Sequence, residues 1–283
     1  MKIEDQVKET IEKYKLFKKN DKILVALSGG KDSTVVAYIL KKLGYNVEGF
    51  HIDLKMGKYS EDCLSKIQTL CSENKIKLHL YDIKQEWGAG MCYLRSAIQS
   101  KNETGQIKNC AICGVIKKWI LNKRSRELKA DKIVTGHHLD DEIQTFLLNV
   151  FKGSLALSAN SGPISKNVAN KKFVPRVKPL FFVLEKDIKE YSQKMKLPVN
   201  YAGCPCAIDS YRIQIRTFLK ELSDKEKRNI MKNFVKIMPL LKVEGDLEMN
   251  YCEKCGEPSK GKVCKKCQLM GNYSKGACNS KDL

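Results

Sequence analysis

The sequence predicts an α/β protein built on a doubly wound, Rossmann-like parallel sheet, followed by a helical region and a small cysteine-rich tail. Short continuous apolar runs, the mark of strands buried on both faces, alternate with segments of helical periodicity. Hydrophilic stretches follow two of those runs directly, at the strand carboxyl ends where such sheets bind ligands. From Cys252 the composition shifts to Cys, Gly and Lys, which sets the tail apart.

MKIEDQVKETIEKYKLFKKN, at the start, alternates charge too densely for a signal peptide and reads as an amphipathic helix. ILVAL (23–27) is the first strand. SGGKDS then turns the chain into a helix marked by Val35, Val36, Ile39, Leu40 and Leu43 and ended by Gly44. NVEGFHID (46–53) is the second strand, and a helix over 60–74 follows with Cys63, Ile67, Leu70 and Cys71 on its apolar face. KLHLYDI (77–83) is the third strand, a helix over about 111–129 follows, and DKIVTGHH carries a fourth strand at 132–137. LDDEIQTFLLNVFKG opens another helix. The Ser/Asn/Gly-rich stretch 153–172 reads as a loop, either a lid or a surface excursion. Helices are expected over 185–196, 210–222 and 224–239, the last two strongly basic.

The 283 residues carry 52 Lys and Arg against 32 acids, a formal charge of +20. Such an excess favours a polyanionic partner such as nucleic acid. No apolar run reaches the ~18 residues a membrane span needs, so no transmembrane helix and no membrane partner are expected, and a cytoplasmic location is. Twelve cysteines in such a chain point to metal or redox chemistry rather than structural disulfides.

Four motifs carry the chemistry. In Ser28-Gly29-Gly30-Lys31-Asp32-Ser33, glycines let the backbone turn tightly and bring N–H groups to an anion, and the helix that follows adds its positive end. The spacing differs from that of the Walker loop. In Gly136-His137-His138-Leu139-Asp140-Asp141-Glu142, carboxylates at a strand end suit Mg²⁺ held jointly with phosphate oxygens, and they also suit a helix N-terminus; Asp141 is the functional candidate. If both loops sit at carboxyl ends of one sheet, they face one pocket. Cys252, Cys255, Cys264 and Cys267 form two CxxC knuckles, a spacing that fits structural Zn²⁺ in a segment too poor in apolar residues to fold alone. A second CxxC, Cys110 and Cys113, and the later pair Cys204 and Cys206 leave a redox pair, a zinc site and an iron–sulfur site all open.

SGGKDS resembles the PP-loop of the ATP pyrophosphatases, which cleave ATP between the α- and β-phosphates and adenylate a substrate. CAICGVIKKWILNKRSRELKADKIVTGHHLDDEIQTFLLNVFKG, with GCPCA and the C-terminal knuckles, resembles the tRNA 2-thiouridine synthetases of the archaeal and eukaryotic cytoplasmic type. The resemblance runs from residue 1 to about 270. It implies ATP at Ser28–Ser33 and Gly136, Mg²⁺ near Asp141, and a [4Fe–4S] cluster on Cys110, Cys113 and Cys204 with one iron open to sulfide. It further implies catalytic roles for Lys117 and Asp141, Zn²⁺ on Cys252, Cys255, Cys264 and Cys267, a homodimer, and tRNA as partner. The sulfur donor would be external, either sulfide or a thiocarboxylated ubiquitin-like carrier protein.

On this reading 1–20 is an N-terminal helix and 21–182 the PP-loop α/β domain. Residues 183–245 form a basic tRNA-binding region carrying the third cluster cysteine, and 246–283 a zinc module. Family members often begin with a further Cys/His zinc finger; this chain starts at the helix before the PP-loop, which leaves open the contacts that finger provides. Cys206 offers an alternative fourth ligand, so a closed zinc site or a persulfide relay through these cysteines stays an alternative, as does a non-catalytic RNA-binding zinc protein. Relatives thiolate uridine 34 or 54, and position 34 is favoured weakly.

Overall fold

The structure is a computed structural model that describes residues 2–100, 107–165, 172–206, 211–241 and 250–271. Part of the proposed lid segment (166–171) and the scattered Cys278 lie outside the described residues.

Five parallel strands form the central sheet in the order β3-β2-β1-β4-β5: β1 (Ile23–Leu27), β2 (Val47–Asp53), β3 (Lys77–Asp82), β4 (Lys132–Val134) and β5 (Arg176–Val177). The order runs outward from β1 in both directions, so β1 and β4 flank the point where the connectivity reverses, and ligands bind outside the carboxyl ends there. Ile23, Leu24 and Val25 pair with Val47, Glu48 and Gly49 on one side and with Lys132, Ile133 and Val134 on the other. Such a central strand is shielded on both faces, which is why it reads as an unbroken apolar run.

Helices α1 (Ile3–Tyr14), α2 (Lys31–Lys42), α3 (Lys58–Glu73) and α8 (Glu185–Lys194) share one core on one face of the sheet, with Val7, Leu16, Val36, Leu40 and Ile188 buried there. The opposite face is covered by α4 (Ile83–Trp87), α5 (Met91–Ser100) and α6 (Asn109–Glu127), where Leu24 and Ile133 meet Met91, Leu94, Ile112, Ile116 and Ile120. A third core joins α7 (Leu139–Phe151) to α9 (Tyr211–Glu221) and α10 (Asp224–Ile237), with the Phe146 and Phe234 rings stacked at 4.4 Å. The C-terminal helices therefore pack on the helix that begins with LDDE. Ser223 and Glu226 form a capping box at the start of α10, which fixes where that helix begins.

The strand expected over 132–137 stops at Val134, because the next residues turn toward α7. Asp82 caps the short α4 by accepting from the N–H groups of Lys84 and Gln85, and α5 follows after Gly88 and Gly90. Among the described residues no helix is long and apolar enough to cross a membrane.

Candidate active site

SGGKDS joins β1 to α2 as a hydrogen-bonded cradle. The Ser28 N–H donates to Ser33 Oγ at 3.1 Å, the Ser33 hydroxyl donates to the Gly30 carbonyl at 3.1 Å, and the two serine hydroxyls lie 3.1 Å apart. Gly29 sits at φ +82°, and a Cβ there would fall 2.8 Å from Cys63 Cβ and 2.9 Å from Cys63 Cα. No other residue fits, on backbone conformation and on space alike. Lys31 bonds Glu185 at 2.9 Å and Asp32 at 3.0 Å. Burial pushes the Lys31 ammonium down, but the two carboxylates outweigh it and hold its pKa above the ordinary value.

The β4–α7 loop meets this cradle. A Cβ on Gly136 would stand 2.7 Å from the carbonyl carbon of Asp32 and 2.8 Å from the Ser33 nitrogen, so only glycine lets the two loops touch. The convergence expected from the strand order is present. His138, buried, lies between three carboxylates: Asp141 at 3.4 Å, Asp32 at 3.7 Å and Asp140 at 3.8 Å. Both of its ring nitrogens are buried without a hydrogen-bond partner among the described residues. Unpaired buried polar atoms are costly and mark a place built for a further group. Glu142, one turn into α7, pairs with Lys178 at 2.7 Å.

Asp140 and Asp141 differ although they are neighbours. Asp140 is buried, accepts the Glu185 N–H at 2.8 Å and pairs with Lys227 at 3.0 Å, which fastens α7 to α8 and α10. Asp141 keeps a partly exposed carboxylate on the cradle side, beside His138. Mg²⁺ with phosphate oxygens fits Asp141 and Asp32, which converge on this point, and not Asp140, whose oxygens are already engaged.

The cysteines arrive from two directions. Cys110 and Cys113 occupy the first turns of α6, with Lys117 one turn further on. Burial pushes the Cys113 thiol up; Arg95 and Lys117 pull it down, and Cys204 and Cys110 also act on it. Cys204 comes from the segment that follows α8. Within that segment the Asn200 N–H donates to the Gly29 carbonyl at 2.9 Å, and the Asn200 amide donates to Cys63 Sγ at 3.4 Å. The third cysteine is thus carried on a strap that lies across the cradle. Lys117 belongs to the cysteine neighbourhood and Asp141 to the cradle.

Arg95, on α5, drew no notice in the sequence. It is 5% exposed, and its guanidinium donates to Cys206 Sγ at 2.9 Å and Cys92 Sγ at 3.1 Å. Only tertiary contacts bring these groups together, so no local pattern announces them. Among the described residues, Cys252, Cys255, Cys264 and Cys267 alone gather three or more potential ligand atoms within 4.8 Å of one another. Cys110, Cys113, Cys204 and Cys206 are not drawn together to the spacing of a single-ion site.

The four-thiolate module is compact. It comprises an antiparallel pair, β6 (Asn250–Tyr251) and β7 (Pro258–Ser259), and helix α11 (Lys265–Met270). Burial disfavours the Cys252 thiolate, but N–H groups including those of Cys264, Lys254 and Cys255 outweigh it and bring its pKa down to about 6. Amide donors aimed at a sulfur suit a tetrahedral Zn²⁺ thiolate. The module docks on α6 through Arg126, which pairs with the buried Glu257, and through Lys266, which stands 4.5 Å from the Trp119 ring.

A model of the ATP_bind_3 family, described as a PP-loop domain, matches residues 1–203. The tRNA-5-methyluridine(54) 2-sulfurtransferase of Pyrococcus horikoshii is 36% identical over 276 residues, covering 95% of this chain and 84% of that protein. This chain belongs to the PP-loop family of tRNA 2-thiolation proteins. A further relative, tRNA 2-thiolation protein NcsA of Haloferax volcanii, is 31% identical over 264 residues, covering 87% of this chain and 81% of its own. Among solved structures, the U34-tRNA thiolase NcsA from Methanococcus maripaludis with its [4Fe-4S] cluster superposes with a TM-score of 0.76 at 26% identity. That match covers 95% of this chain and 86% of the thiolase. The family match spans the Ser28–Ser33 cradle and ends at Gly203, one residue before Cys204.

Proposed function

We propose that this protein is an ATP-dependent tRNA-uridine 2-sulfurtransferase acting in the cytoplasm. The observation that carries the reading is the strap bonded to the cradle through Asn200 and Gly29, which puts a nucleotide loop and a set of thiols in one neighbourhood. The backbone N–H groups of Ser28–Ser33 hold the ATP phosphates, with the N-terminus of α2 behind them. Asp141, with Asp32, would hold Mg²⁺, which would supply charge neutralisation for the phosphates. The uridine C2 oxygen attacks the α-phosphate, pyrophosphate leaves, and the base carries AMP at C2, a far better leaving group than oxide. Lys117 offsets the charge that develops on the phosphate.

Cys110, Cys113 and Cys204 would hold a [4Fe–4S] cluster, which would supply a position where hydrosulfide is activated as a nucleophile. Sulfur replaces AMP at C2, and the sulfur itself comes from sulfide or a carrier protein. Cys252, Cys255, Cys264 and Cys267 hold a structural Zn²⁺. Lys225, Lys232 and Lys236, exposed along α10, and Lys117 and Lys118 on α6 offer a track for the tRNA backbone. Other members of the basic runs are committed to the fold: Lys227 to Asp140, and Arg126 to Glu257. The protein acts as a homodimer. The relatives named above point to both uridine positions. The higher identity is to the enzyme named for position 54, which makes 54 the first position to test, ahead of the 34 that the sequence weakly favours.

The test is anaerobic purification with iron and sulfide measured per chain, then incubation with unmodified tRNA, ATP–Mg²⁺ and sulfide, read by nucleoside mass spectrometry. 2-Thiouridine is expected, lost when U54 is replaced and retained when U34 is replaced. Thiolation without iron would falsify the cluster-dependent mechanism, and no thiolated base under any condition would remove the enzyme assignment.

A further inference from the structure

Cys206 follows Cys204 by two residues, close enough in the chain to compete for the same metal centre. The structure separates them. A turn at residues 205–206 sends the two thiols to different partners. Cys204 acts on Cys113 of α6 and on Tyr59 of α3. Cys206 points to α5, where the Arg95 guanidinium donates to it at 2.9 Å. Arg95 is 5% exposed, and its Nε is buried without a partner among the described residues. The groups that meet its charge are sulfurs: Cys206, Cys113 and Cys92. A buried guanidinium that loses an acceptor is left short of partners, which is strongly unfavourable, so the 2.9 Å hydrogen bond holds Cys206 at α5.

We propose that Arg95 is a positioning residue that keeps Cys206 away from the cluster, so that the Cys204-Pro205-Cys206 segment supplies one ligand and the fourth coordination position stays open for sulfur. The inference rests on the cluster-dependent reading above. Without the Arg95 hydrogen bond, Cys206 is a sulfur on a short tether two residues from a cluster ligand, at high effective concentration, and it would close the site.

The test uses the full chain, purified anaerobically and reconstituted, with iron per chain and the EPR spectrum of the reduced cluster recorded before and after adding hydrosulfide. Cys206→Ala is expected to keep wild-type iron and the hydrosulfide-dependent spectral change. Arg95→Met is expected to keep iron, lose that change and thiolate tRNA about tenfold or more slowly. The double variant Arg95→Met/Cys206→Ala is expected to regain the change, and Arg95→Lys, which retains the charge, to resemble the wild type. Loss of iron in Cys206→Ala would make Cys206 a ligand and overturn the proposal. So would an unaltered hydrosulfide response in Arg95→Met, or a loss of iron in Arg95→Met that the double variant does not repair. A wild-type protein that takes up no iron would instead remove the reading on which the inference rests.

Discussion

Cys252, Cys255, Cys264 and Cys267 come from one short stretch of chain, and their ligand atoms lie within 4.8 Å of one another, with backbone N–H groups already aimed at sulfur. Cys110, Cys113 and Cys204 come from segments far apart in the chain and meet without closing to that spacing. The first group satisfies itself and would bind an ion as a finished tetrahedron. The second depends on α5, α6 and the strap after α8 for its position, and it lies beside a nucleotide cradle rather than a wall of its own. A structural site fills every coordination position, and a reactive one must leave a position vacant. On the proposed reading the same residue type would serve two purposes in one chain, and what would separate them is whether the surrounding backbone completes the set.

The contrast can be broken at either end. The largest effect is expected from Cys204→Ala: thiolation falls to background and iron is lost, while the melting temperature moves little, because this exposed residue buries no apolar area. A large drop in melting temperature would make that site structural as well. Cys264→Ser should do the reverse. A four-thiolate Zn²⁺ site is worth on the order of 10 kcal/mol to a module of this kind, so the tail should lose zinc and become open to proteolysis. Thiolation should fall less than in Cys204→Ala, and equal loss in the two variants would show that the module is part of the reacting centre.

Smaller effects are expected at the seam. Arg126→Ala leaves the buried Glu257 with only the Asn122 amide, at 3.4 Å, among its recorded partners; it should cost about 1–3 kcal/mol in denaturant unfolding and loosen the tail first. Lys266→Ala removes the cation facing Trp87 and Trp119 and should cost about 0.5–1 kcal/mol. A larger loss in either variant would mean that the module is held mainly by its seam with α6 rather than by its metal.

Much of this was legible in the sequence, for physical reasons. ILVAL and NVEGFHID announce themselves because strands buried on both faces admit little but apolar residues. SGGKDS and LDDE fall where sheet connectivity places binding loops, and the knuckle spacing needs no tertiary information at all. What stayed hidden depends on partners distant in sequence. Arg176–Val177 is a strand of two residues between prolines, too short for any period. The packing role of Asp140 could not be read, because its partners Glu185 and Lys227 lie on other helices. Arg95 looked like one more basic residue until α5, α6 and the strap came together around it.

Gly29 carries a warning for anyone reading loss-of-function data on this loop. Its carbonyl is held by Asn200, its φ is +82°, and the backbone of Cys63 already occupies the space a methyl group would need. Replacing it by alanine would displace α3 and the strap whether or not a nucleotide ever enters. A dead Gly29→Ala protein is therefore poor diagnostic evidence of phosphate contact; it would look the same if the residue never touched ATP. A more informative substitution is at the exposed Ser28 hydroxyl, whose removal leaves the Ser33 bonds to the Ser28 N–H and the Gly30 carbonyl in place.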